Sequence, residues 1–311
     1  MIFDVYLPIT DMHVEGAALI ILGLIVGFIS GFFGVGGGII AVPMLFIIFN
    51  IPFPVAIGSS LALIIGTSIS ASYRHHQHGN IDFKMGFVFM TGTVLGVEAG
   101  AWVIQGLKKI HEISIAGKTI SATDLIISII YILLLSTVGM LIFRESRNAK
   151  RKTRSIRESV ILKNFLVEWF RGFSLKPQIR FASAGKYVSF WTVLWLSIFV
   201  GAIQGMLGVG GGFILVPVMI YLLKVPTKIA IGTSLFSIIL GSLYATFTHT
   251  IKGNVDIVLV TILLVGSAVG AQFGAAATRK FQGPSIRFSF SILTFFAAVM
   301  AAIKLIIIVF M

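Results

Sequence analysis

One segment of the chain occurs twice, and this duplication constrains the fold more than any other feature of the sequence. Residues 31–43 read GFFGVGGGIIAVP, and residues 205–217 read GMLGVGGGFILVP. When the sequence is shifted by 174 positions, residues 27–101 align with residues 201–275 without a gap, and 29 of the 75 aligned positions are identical. Self-similarity of this length is the signature of an internal duplication. The chain is therefore expected to consist of two similar halves.

The composition places both halves in a lipid bilayer. Hydrophobic residues make up 57% of the chain and charged residues 11%, whereas a soluble domain has about 25% charged residues. The mean hydropathy is +1.02. The apolar runs are continuous rather than alternating, which favours spanning helices over a β-barrel. The sequence predicts an all-α, multi-pass membrane protein.

Each half contains five apolar segments long enough to be considered as membrane helices, which gives about ten in all. Those of the first half are residues 16–33, 38–50, 54–73, 83–106 and 122–143, and those of the second half are 188–207, 212–224, 227–248, 255–278 and 288–310. With an odd number of segments per half, the second half starts from the opposite face of the membrane. This parity predicts two inverted repeats related by an axis in the membrane plane.

The positive charge is concentrated between the halves. The net charge is +13, and residues 144–186 hold twelve Lys or Arg against three acids, so they supply +9 of it. Basic loops stay on the cytoplasmic side, so membrane topology explains this charge better than a nucleic-acid partner does. The acidic stretch 4–15 then lies outside. Three lysines within residues 108–118 oppose this orientation, but a scheme of eight segments with parallel halves would place more basic loops outside.

These patterns divide the chain into three parts. The first transmembrane repeat covers residues 1–143, a basic cytoplasmic linker covers 144–187, and the second repeat covers 188–311. Within the linker, apolar residues recur at helical intervals from Ile156 to Phe170. This periodicity predicts an amphipathic helix on the cytoplasmic membrane surface.

The second segment of each half is too short for an ordinary crossing. Residues 38–50 would form roughly 20 Å of helix at about 1.5 Å per residue, whereas the hydrocarbon layer is about 30 Å thick. A full crossing and a re-entrant hairpin with its glycine tip at membrane depth both remain open. The parity of each half is the same in either case.

The consecutive glycines before each short segment predict a non-helical turn inside the bilayer. Unpaired backbone groups there cost several kcal/mol each, so the turn needs partners. The helix that follows offers free N–H groups and a partial positive charge, which together favour an anion. Close helix packing uses glycines four residues apart and does not account for consecutive ones. We therefore predict one substrate site for a small anion between the two turns, formed by Gly34, Gly36, Gly37, Gly38, Gly208, Gly210, Gly211 and Gly212.

Hydroxyl residues at the start of the third segment are further candidates for substrate binding. They are Ser59, Ser60, Thr233 and Ser234. Their hydroxyls are able to donate to the same anion, but Ser and Thr in membrane helices often bond to their own backbone. Both interpretations stay open at this point.

A Gly-Asn turn follows the third segment of each half. Asn80 precedes Asp82 in the first half, and Asn254 precedes Asp256 in the second. Because Gly-Asn is typical of a turn and Asp of a helix N-cap, we assign these residues structural roles. We include the matched prolines of the second segments in the same structural class of turn or cap residues. They are Pro43 and Pro217.

Four polar residues are candidates for gating, or for coupling transport to a proton or cation. They are Glu98, His75, His249 and Gln272. An ionisable group within a membrane segment is a functional candidate by default, although a structural hydrogen bond is the alternative for each. His76 and His78 lie beside His75 but are not repeated in the second half. We therefore predict no metal site and no cofactor.

The duplicated GxGGGxxxxP motifs, each followed by IGSS or IGTS and then by a GNxD turn, resemble the TauE/SafE family of sulfite exporters and related permeases. The resemblance covers nearly the whole chain. It implies a carrier in the cytoplasmic (inner) membrane of a bacterium or archaeon. Its implied substrates are sulfur-containing or organic anions such as sulfite, thiosulfate or sulfonates.

The function predicted from these features is secondary transport by alternating access at a midplane site. The GxGGG run lacks the Lys-Ser/Thr end of a P-loop, so an ion gradient is expected to supply the energy. A homodimer is compatible with the sequence. Two alternatives are an anion channel and an intramembrane hydrolase with Ser60 or Ser234 as nucleophile and His249 as base. Both serines are duplicated, which argues against a single catalytic pair, so we expect no enzyme.

Overall fold

The computed structural model describes residues 4–107, 113–115, 118–120, 122–150, 176–181, 183, 187–207 and 210–310. Ten α-helices lie in these ranges, five in each half, which confirms the predicted all-α class. The helices of the first half are α1 (Gly16–Phe33), α2 (Gly38–Phe49), α3 (Phe53–Gln77), α4 (Phe83–Leu107) and α5 (Ala122–Lys150). Those of the second half are α6 (Phe190–Leu207), α7 (Gly212–Tyr221), α8 (Thr227–Ile251), α9 (Ile257–Ala277) and α10 (Gly283–Phe310). A short 3-10 helix, Thr278–Lys280, follows α9.

Seven of the helices in the described ranges are long and apolar enough to cross a membrane. They are α1, α3, α5, α6, α8, α9 and α10. Their number and composition make the chain a multi-pass membrane protein, as predicted.

Helices α2 and α7 are short. They have 12 and 10 residues, which correspond to roughly 18 and 15 Å of helix. Pro43 and Pro217, which we expected at a turn or cap, instead lie inside these helices. A proline has no N–H to donate to the carbonyl four residues earlier. In α2 that carbonyl belongs to Ile39, and the hydroxyl of Tyr131 donates to it instead, at 3.3 Å.

Three two-stranded antiparallel hairpins lie outside the helices, and the sequence did not predict them. They pair β1 (Asp4–Leu7) with β2 (Met12–Glu15), β3 (Ile113–Ile115) with β4 (Lys118–Ile120), and β5 (Gln178–Arg180) with β6 (Tyr187–Ser189). The β1–β2 and β5–β6 hairpins precede the first helix of each half. The pair Asp4 and Glu15 lies 174 positions before the pair Gln178 and Ser189, so the two hairpins have the same register.

The helices of the two halves pack in exchanged pairs. Helix α1 packs along α9, and α6 packs along α4, so the first helix of each half meets the fourth helix of the other. Helix α3 packs on α8 and on α9, and α8 in turn packs on α4. Helix α5 packs on α10. The core of the protein is therefore made jointly by both halves.

Glycines four residues apart permit the closest of these contacts. A Cβ added to Gly27 of α1 would lie 2.1 Å from the carbonyl oxygen of Ser267 in α9. In the matching pair, a Cβ on Gly201 of α6 would lie 2.3 Å from the carbonyl oxygen of Thr93 in α4. These glycines act through the close packing that small residues allow between membrane helices.

Elements of the structure cross both boundaries that the sequence predicts for the linker, and the division into two repeats and a linker stays a prediction. Helix α5 continues to Lys150, beyond the expected end of the first repeat at residue 143. The expected boundary at residue 187 falls within β6. The amphipathic helix predicted between Ile156 and Phe170 lies outside the described residues.

Candidate functional site

The two glycine turns contact each other in the buried interior. A Cβ added to Gly212 would lie 2.5 Å from the carbonyl oxygen of Gly34 and 2.7 Å from the Cα of Val35. A Cβ on Gly210 would lie 3.6 Å from the carbonyl oxygen of Val35. The structure thus brings together the turns that the repeat predicts to meet. Gly208 lies outside the described residues.

The first turn is built from left-handed backbone. Gly34 ends α1 with φ +79°, and Gly36 and Gly37 follow with φ +79° and +85°. Glycine adopts such angles without the steric cost that a side chain imposes. In the second turn Gly210 has φ +61° but Gly211 has φ −66°. The two turns are therefore alike in place and different in conformation.

Each turn leads directly into the N-terminus of a short helix. The amides of Ile40 and Ala41 both donate to the carbonyl of Gly37, and those of Ile214 and Leu215 donate to that of Gly211 in the same way. In each helix the two amides that precede these bonds, those of residues 38 and 39 in α2 and those of residues 212 and 213 in α7, have no acceptor inside their own helix. Open amides and the helix dipole make each turn attractive to an anion.

Ser30 and Gln204, two buried polar residues that sequence reasoning did not single out, lie beside the turns. The hydroxyls of Ser30 and Ser68 and the Oε1 of Gln204 have no hydrogen-bond partner among the described residues. A Cβ on Gly37 would lie 3.5 Å from the Cβ of Ser30, and one on Gly211 would lie 3.0 Å from Oε1 of Gln204. Such atoms are costly to bury without a partner, so a polar ligand that bonded to them would remove this cost.

These polar residues also follow the repeat. Ser30 aligns with Gln204, and Ser68 aligns with Ser242. The Nε2 of Gln204 donates to the hydroxyl of Ser242 at 3.2 Å. Because this hydroxyl can also donate, the amide is able to turn over and present its NH₂ group toward the turn. Polar residues at matched positions within apolar segments were the available signal for this pair of sites.

The predicted hydroxyl ligands mainly bond to backbone. The hydroxyl of Ser60 donates to the carbonyl of Ile57 at 2.9 Å. The hydroxyl of Ser234 donates both to the carbonyl of Ile231, at 2.9 Å, and to that of Gly34, at 2.7 Å. Ser60 thus makes the local bond that was the alternative to ligand binding, whereas Ser234 supports the first glycine turn.

Ser59 and Thr233 join the two halves at the Gly-Asn turns. The hydroxyl of Ser59 accepts a bond from the amide of Asp256 at 3.1 Å, and that of Thr233 accepts one from the amide of Asp82 at 3.0 Å. Both aspartates cap the following helix through Oδ1, to the amides of Met85 and Leu259. The structure therefore shows the cap geometry that the sequence indicates for both aspartates.

The second oxygen of each aspartate holds the tip of a hairpin from the other half. Oδ2 of Asp256 accepts a bond from the amide of Ile9 at 3.1 Å. Oδ2 of Asp82 accepts bonds from the amide and the hydroxyl of Ser183, at 3.1 and 2.6 Å. Ile9 and Ser183 are 174 positions apart, so the two contacts are equivalent. We call these two contacts the hairpin latches.

Of the gating candidates, His75 lies next to the first glycine turn. Its buried ring donates from Nε2 to the carbonyl of Gly31 at 2.9 Å, in the last turn of α1. The backbone carbonyls of His75 and His249 accept bonds from the amides of Asn80 and Asn254, each at 3.0 Å. Both histidines thus close a Gly-Asn turn.

Glu98 and Gln272 are not at the turns. Both side chains are exposed, whereas the turns are buried. Nε1 of Trp102 donates to Oε1 of Glu98 at 3.1 Å, and the hydroxyl of Tyr244 donates to Oε2. Glu98 therefore lies on the outer surface of α4, within a small cluster of aromatic donors.

Paired halves of membrane-spanning helices with buried helix N-termini are typical of one class of protein, the α-helical membrane transporters. Comparison with known proteins agrees and gives the family. Residues 19–301 match the family described as sulfite exporter TauE/SafE, and the chain belongs to it.

Several curated relatives match along most of their length. The chain is 28% identical to the probable membrane transporter protein YunE of Bacillus subtilis, over 86% of this chain and 90% of that protein. It is 26% identical to the probable membrane transporter protein YdhB of the same organism, over 84% and 89%. A probable membrane transporter protein of Xylella fastidiosa is 25% identical, over 84% of each chain. No solved structure matches the chain significantly.

Proposed function

We propose that the protein is a secondary transporter of small sulfur-containing or organic anions, such as sulfite, thiosulfate or sulfonates. The observation that carries this proposal is the meeting of two helix N-termini beside buried, unpartnered polar side chains. Amides at 38–39 and 212–213 supply donors from both halves, the hydroxyls of Ser30 and Ser68 supply further ones, and Gln204 supplies its NH₂ group when its amide turns over. Dipoles of this kind hold an anion without a full opposite charge, which suits a carrier that must release its substrate.

The exchanged packing of the helices supports a two-fold relationship between the halves, and the odd number of helices in each half makes that relationship an inverted one. The most extensive contacts between helices of different halves have a counterpart with the halves interchanged, as in α1 with α9 and α6 with α4. A two-fold axis in the membrane plane produces this pattern in transporters with inverted repeats. With the basic linker in the cytoplasm, the N-terminus lies outside and the first latch lies on the outer face.

The positions of the two latches support alternating access. One latch joins the β1–β2 hairpin to Asp256, and the other joins the β5–β6 hairpin to Asp82. In the inverted arrangement these contacts lie at opposite ends of the molecule. Release of one latch at a time would expose the glycine turns to one side only.

Coupling and assembly stay predictions of this proposal. His75 is the candidate nearest to the substrate site, because it is bonded to the helix that ends in the first turn. The exposed Glu98 is separate from that site, so a coupling role would require it to act from the outer surface of α4. Its exposed apolar surroundings also make this face a candidate contact for a homodimer.

Ligand-dependent thermal stability tests the site. In detergent, the melting temperature of the wild type should rise with sulfite, thiosulfate or methanesulfonate, since a ligand at a hundred times its Kd stabilises by about 2.7 kcal/mol. Ser68→Ala should weaken that shift. Ser72→Ala is the matched control, because Ser72 lies one turn further along α3 and its hydroxyl donates to the carbonyl of Ser68 at 2.6 Å. Equal shifts for both variants would remove Ser68 from the site.

Transport in liposomes separates the carrier from its alternatives. A carrier should exchange labelled anion saturably and should show accelerated exchange when unlabelled anion is present on the opposite side. Resolvable unitary currents would favour the channel. An intramembrane hydrolase would instead lose its activity with Ser60→Ala or Ser234→Ala, and anion exchange would then be absent from the wild type.

A further inference from the structure

Five basic residues from three separate stretches of the chain lie together at one end of the helix bundle. Arg74 and His78 lie at the end of α3, Lys228 in the first turn of α8, and Arg279 and Lys280 in the 3-10 helix after α9. The Nζ of Lys228 donates to the backbone carbonyl of Arg279 at 3.1 Å. We call these five residues the cationic cluster.

No carboxylate neutralises the cationic cluster within the described ranges. The only Lys or Arg there with a carboxylate oxygen within 4 Å is Arg287, whose Nη1 lies 3.9 Å from Oε1 of Glu145. Arg74 instead donates from Nη1 to the neutral Oε1 of Gln77 at 2.9 Å. A bond to an amide leaves the charge of the guanidinium uncompensated. The cluster therefore keeps its positive charge.

His78 shows that members of the cluster act on one another. Partial burial, and then the positive charges of Arg279 and Arg74, lower the pKa of His78. The Nδ1 of His78 is shielded from solvent and has no hydrogen-bond partner in the part of the chain that the structure describes. Like charges repel, and an anion placed among them would offset that repulsion. The arrangement therefore favours a negatively charged ligand.

Neither the duplication nor membrane topology requires this arrangement. In the other half, Thr248 stands at the position equivalent to Arg74, and Gln105 at the position equivalent to Arg279. The positive-inside rule counts basic residues in loops and does not depend on contacts between them. A cluster that gathers basic residues from three stretches of chain is more specific than either explanation predicts.

A row of aromatic rings leads from the cluster along α1. Phe281 directly follows the cluster in the chain and is exposed, and its ring lies 5.3 Å from that of Phe32. The ring of Phe32 stacks in turn with that of Phe28, which is also exposed, at 5.9 Å. Tyr73, directly before the first residue of the cluster, is exposed as well. Exposed rings beside basic residues are typical of the level at which lipid headgroups meet acyl chains.

We propose that the cationic cluster binds the headgroup of an anionic phospholipid, and that an acyl chain of this lipid lies along the aromatic row. The guanidiniums of Arg74 and Arg279 and the ammonium of Lys280 donate to the phosphate oxygens. A free anion would use the charges alone, whereas a lipid also uses the rings beside them. This inference goes beyond transport and does not depend on the glycine turns. In the orientation proposed above, the lipid belongs to the cytoplasmic leaflet.

Native mass spectrometry of lipid binding tests the proposal. The delipidated protein should bind dioleoylphosphatidylglycerol more tightly than dioleoylphosphatidylcholine, which has the same chains and no net charge. Arg279→Gln and Lys280→Gln should each weaken binding of the anionic lipid about fivefold, the factor that one basic residue contributes near a membrane surface. Phe281→Ala should weaken the binding of both lipids, because it removes a ring that contacts the acyl chain. Equal affinity of the wild type for the two lipids would overturn the proposal.

Two matched controls remove a positive charge elsewhere. Arg147→Gln changes an exposed residue near the end of α5, which packs mainly on α10. Lys252→Gln changes an exposed residue at the position that the repeat makes equivalent to His78. Both variants should keep the wild-type affinity for the anionic lipid. If Arg147→Gln weakens binding as much as Arg279→Gln does, the charge of the whole face attracts the lipid and the proposed site is wrong.

Inorganic phosphate separates a lipid from a free anion. Millimolar phosphate should leave lipid binding unchanged, and displacement of the lipid by phosphate alone would make the ligand a free anion. The melting temperature identifies any variant that fails to fold, and Lys280→Gln, at an exposed position, keeps the test decisive if Arg279→Gln is one of them. None of these variants should change the shift in melting temperature that sulfonates produce. Failure of the lipid site would therefore leave the proposed transport function untouched.

Discussion

The two glycine turns occupy equivalent places in the duplicated fold, but their surroundings differ. In the first half a serine, Ser30, stands beside the turn; in the second half the equivalent residue is Gln204. Gly37 is left-handed, with φ +85°, whereas its counterpart Gly211 has φ −66°. The duplication thus preserves the place of the turns, while their backbone conformation and their donors diverge. A substrate between the turns would meet hydroxyls on one side and an amide on the other.

The largest effect is expected where the turns touch. Gly212→Ala would place a Cβ 2.5 Å from the carbonyl oxygen of Gly34, and backbone atoms there cannot yield without separating the turns. We expect little monodisperse protein in size-exclusion chromatography. Gly210→Ala should be milder: its left-handed backbone costs about 1–2 kcal/mol, and its nearest neighbour, Cδ1 of Ile64 at 2.9 Å, is the end of a flexible side chain. Equal stability of both variants would contradict the observed contact.

The difference in donors predicts unequal effects on binding. Gln204→Leu removes both amide atoms and should reduce anion affinity about tenfold, which is about 1.4 kcal/mol. Ser30→Ala removes one hydroxyl, and a neutral hydrogen bond contributes about 0.5–1.5 kcal/mol, so the loss should be smaller. Titration of each variant with the same anion measures both effects. A greater loss for Ser30→Ala would place the substrate closer to the first half.

The difference in backbone conformation predicts unequal stability. Gly37→Ala forces a side chain into the left-handed region and should cost about 1–2 kcal/mol, besides bringing its Cβ to 2.6 Å from Cγ1 of Val26. Gly211→Ala carries no such conformational cost and should lower the melting temperature less. Thermal unfolding followed by tryptophan fluorescence compares the two variants. The same loss of melting temperature in both variants would mean that packing, and not backbone conformation, determines stability at this position.

The hairpin latches are expected to give effects confined to the hairpins, and therefore the smallest effects on the protein as a whole. Asp82→Asn should lose the two bonds from Ser183, and Asp256→Asn the one from Ile9, while each keeps an oxygen for its helix cap. Bonds to a charged group contribute about 1.5–3 kcal/mol at most. Hydrogen exchange should therefore rise in residues 178–189 for Asp82→Asn, and less strongly in residues 4–15 for Asp256→Asn. An increase confined to the mutated half would contradict the crossed contacts.

Much of this fold can be predicted from the sequence, because the lengths of the apolar segments and the repeated glycines are compatible with few other arrangements of helices. The short helices α2 and α7 follow from the length of their apolar runs, and the turns from consecutive glycines. The hairpins were missed because they share almost no residues: the equivalence of Ile9 and Ser183 lies in backbone position and not in side chain. Pro43 was misplaced because the compensating hydroxyl comes from Tyr131, far away in sequence.

The polar residues show a second limit of prediction from the sequence. The depth of Glu98 in α4 was evident, but its exposure depends on how the helix is rotated against its neighbours. Arg287 drew attention only as a loop charge, because its partner Glu145 lies on another helix. The hydroxyls of Ser59 and Ser60 lay in the predicted region, yet which of them bonds across the halves is decided by the tertiary fold.

The exchanged helix pairs have a consequence for how the protein is made. Helix α1 packs its glycines against α9, which is among the last segments to leave the ribosome. Until then the first half lies in the membrane without α9, the helix against which the glycines of α1 pack. Assembly of the core must therefore await near-completion of the chain, and the final order of the helices is reached by association within the bilayer rather than by successive insertion.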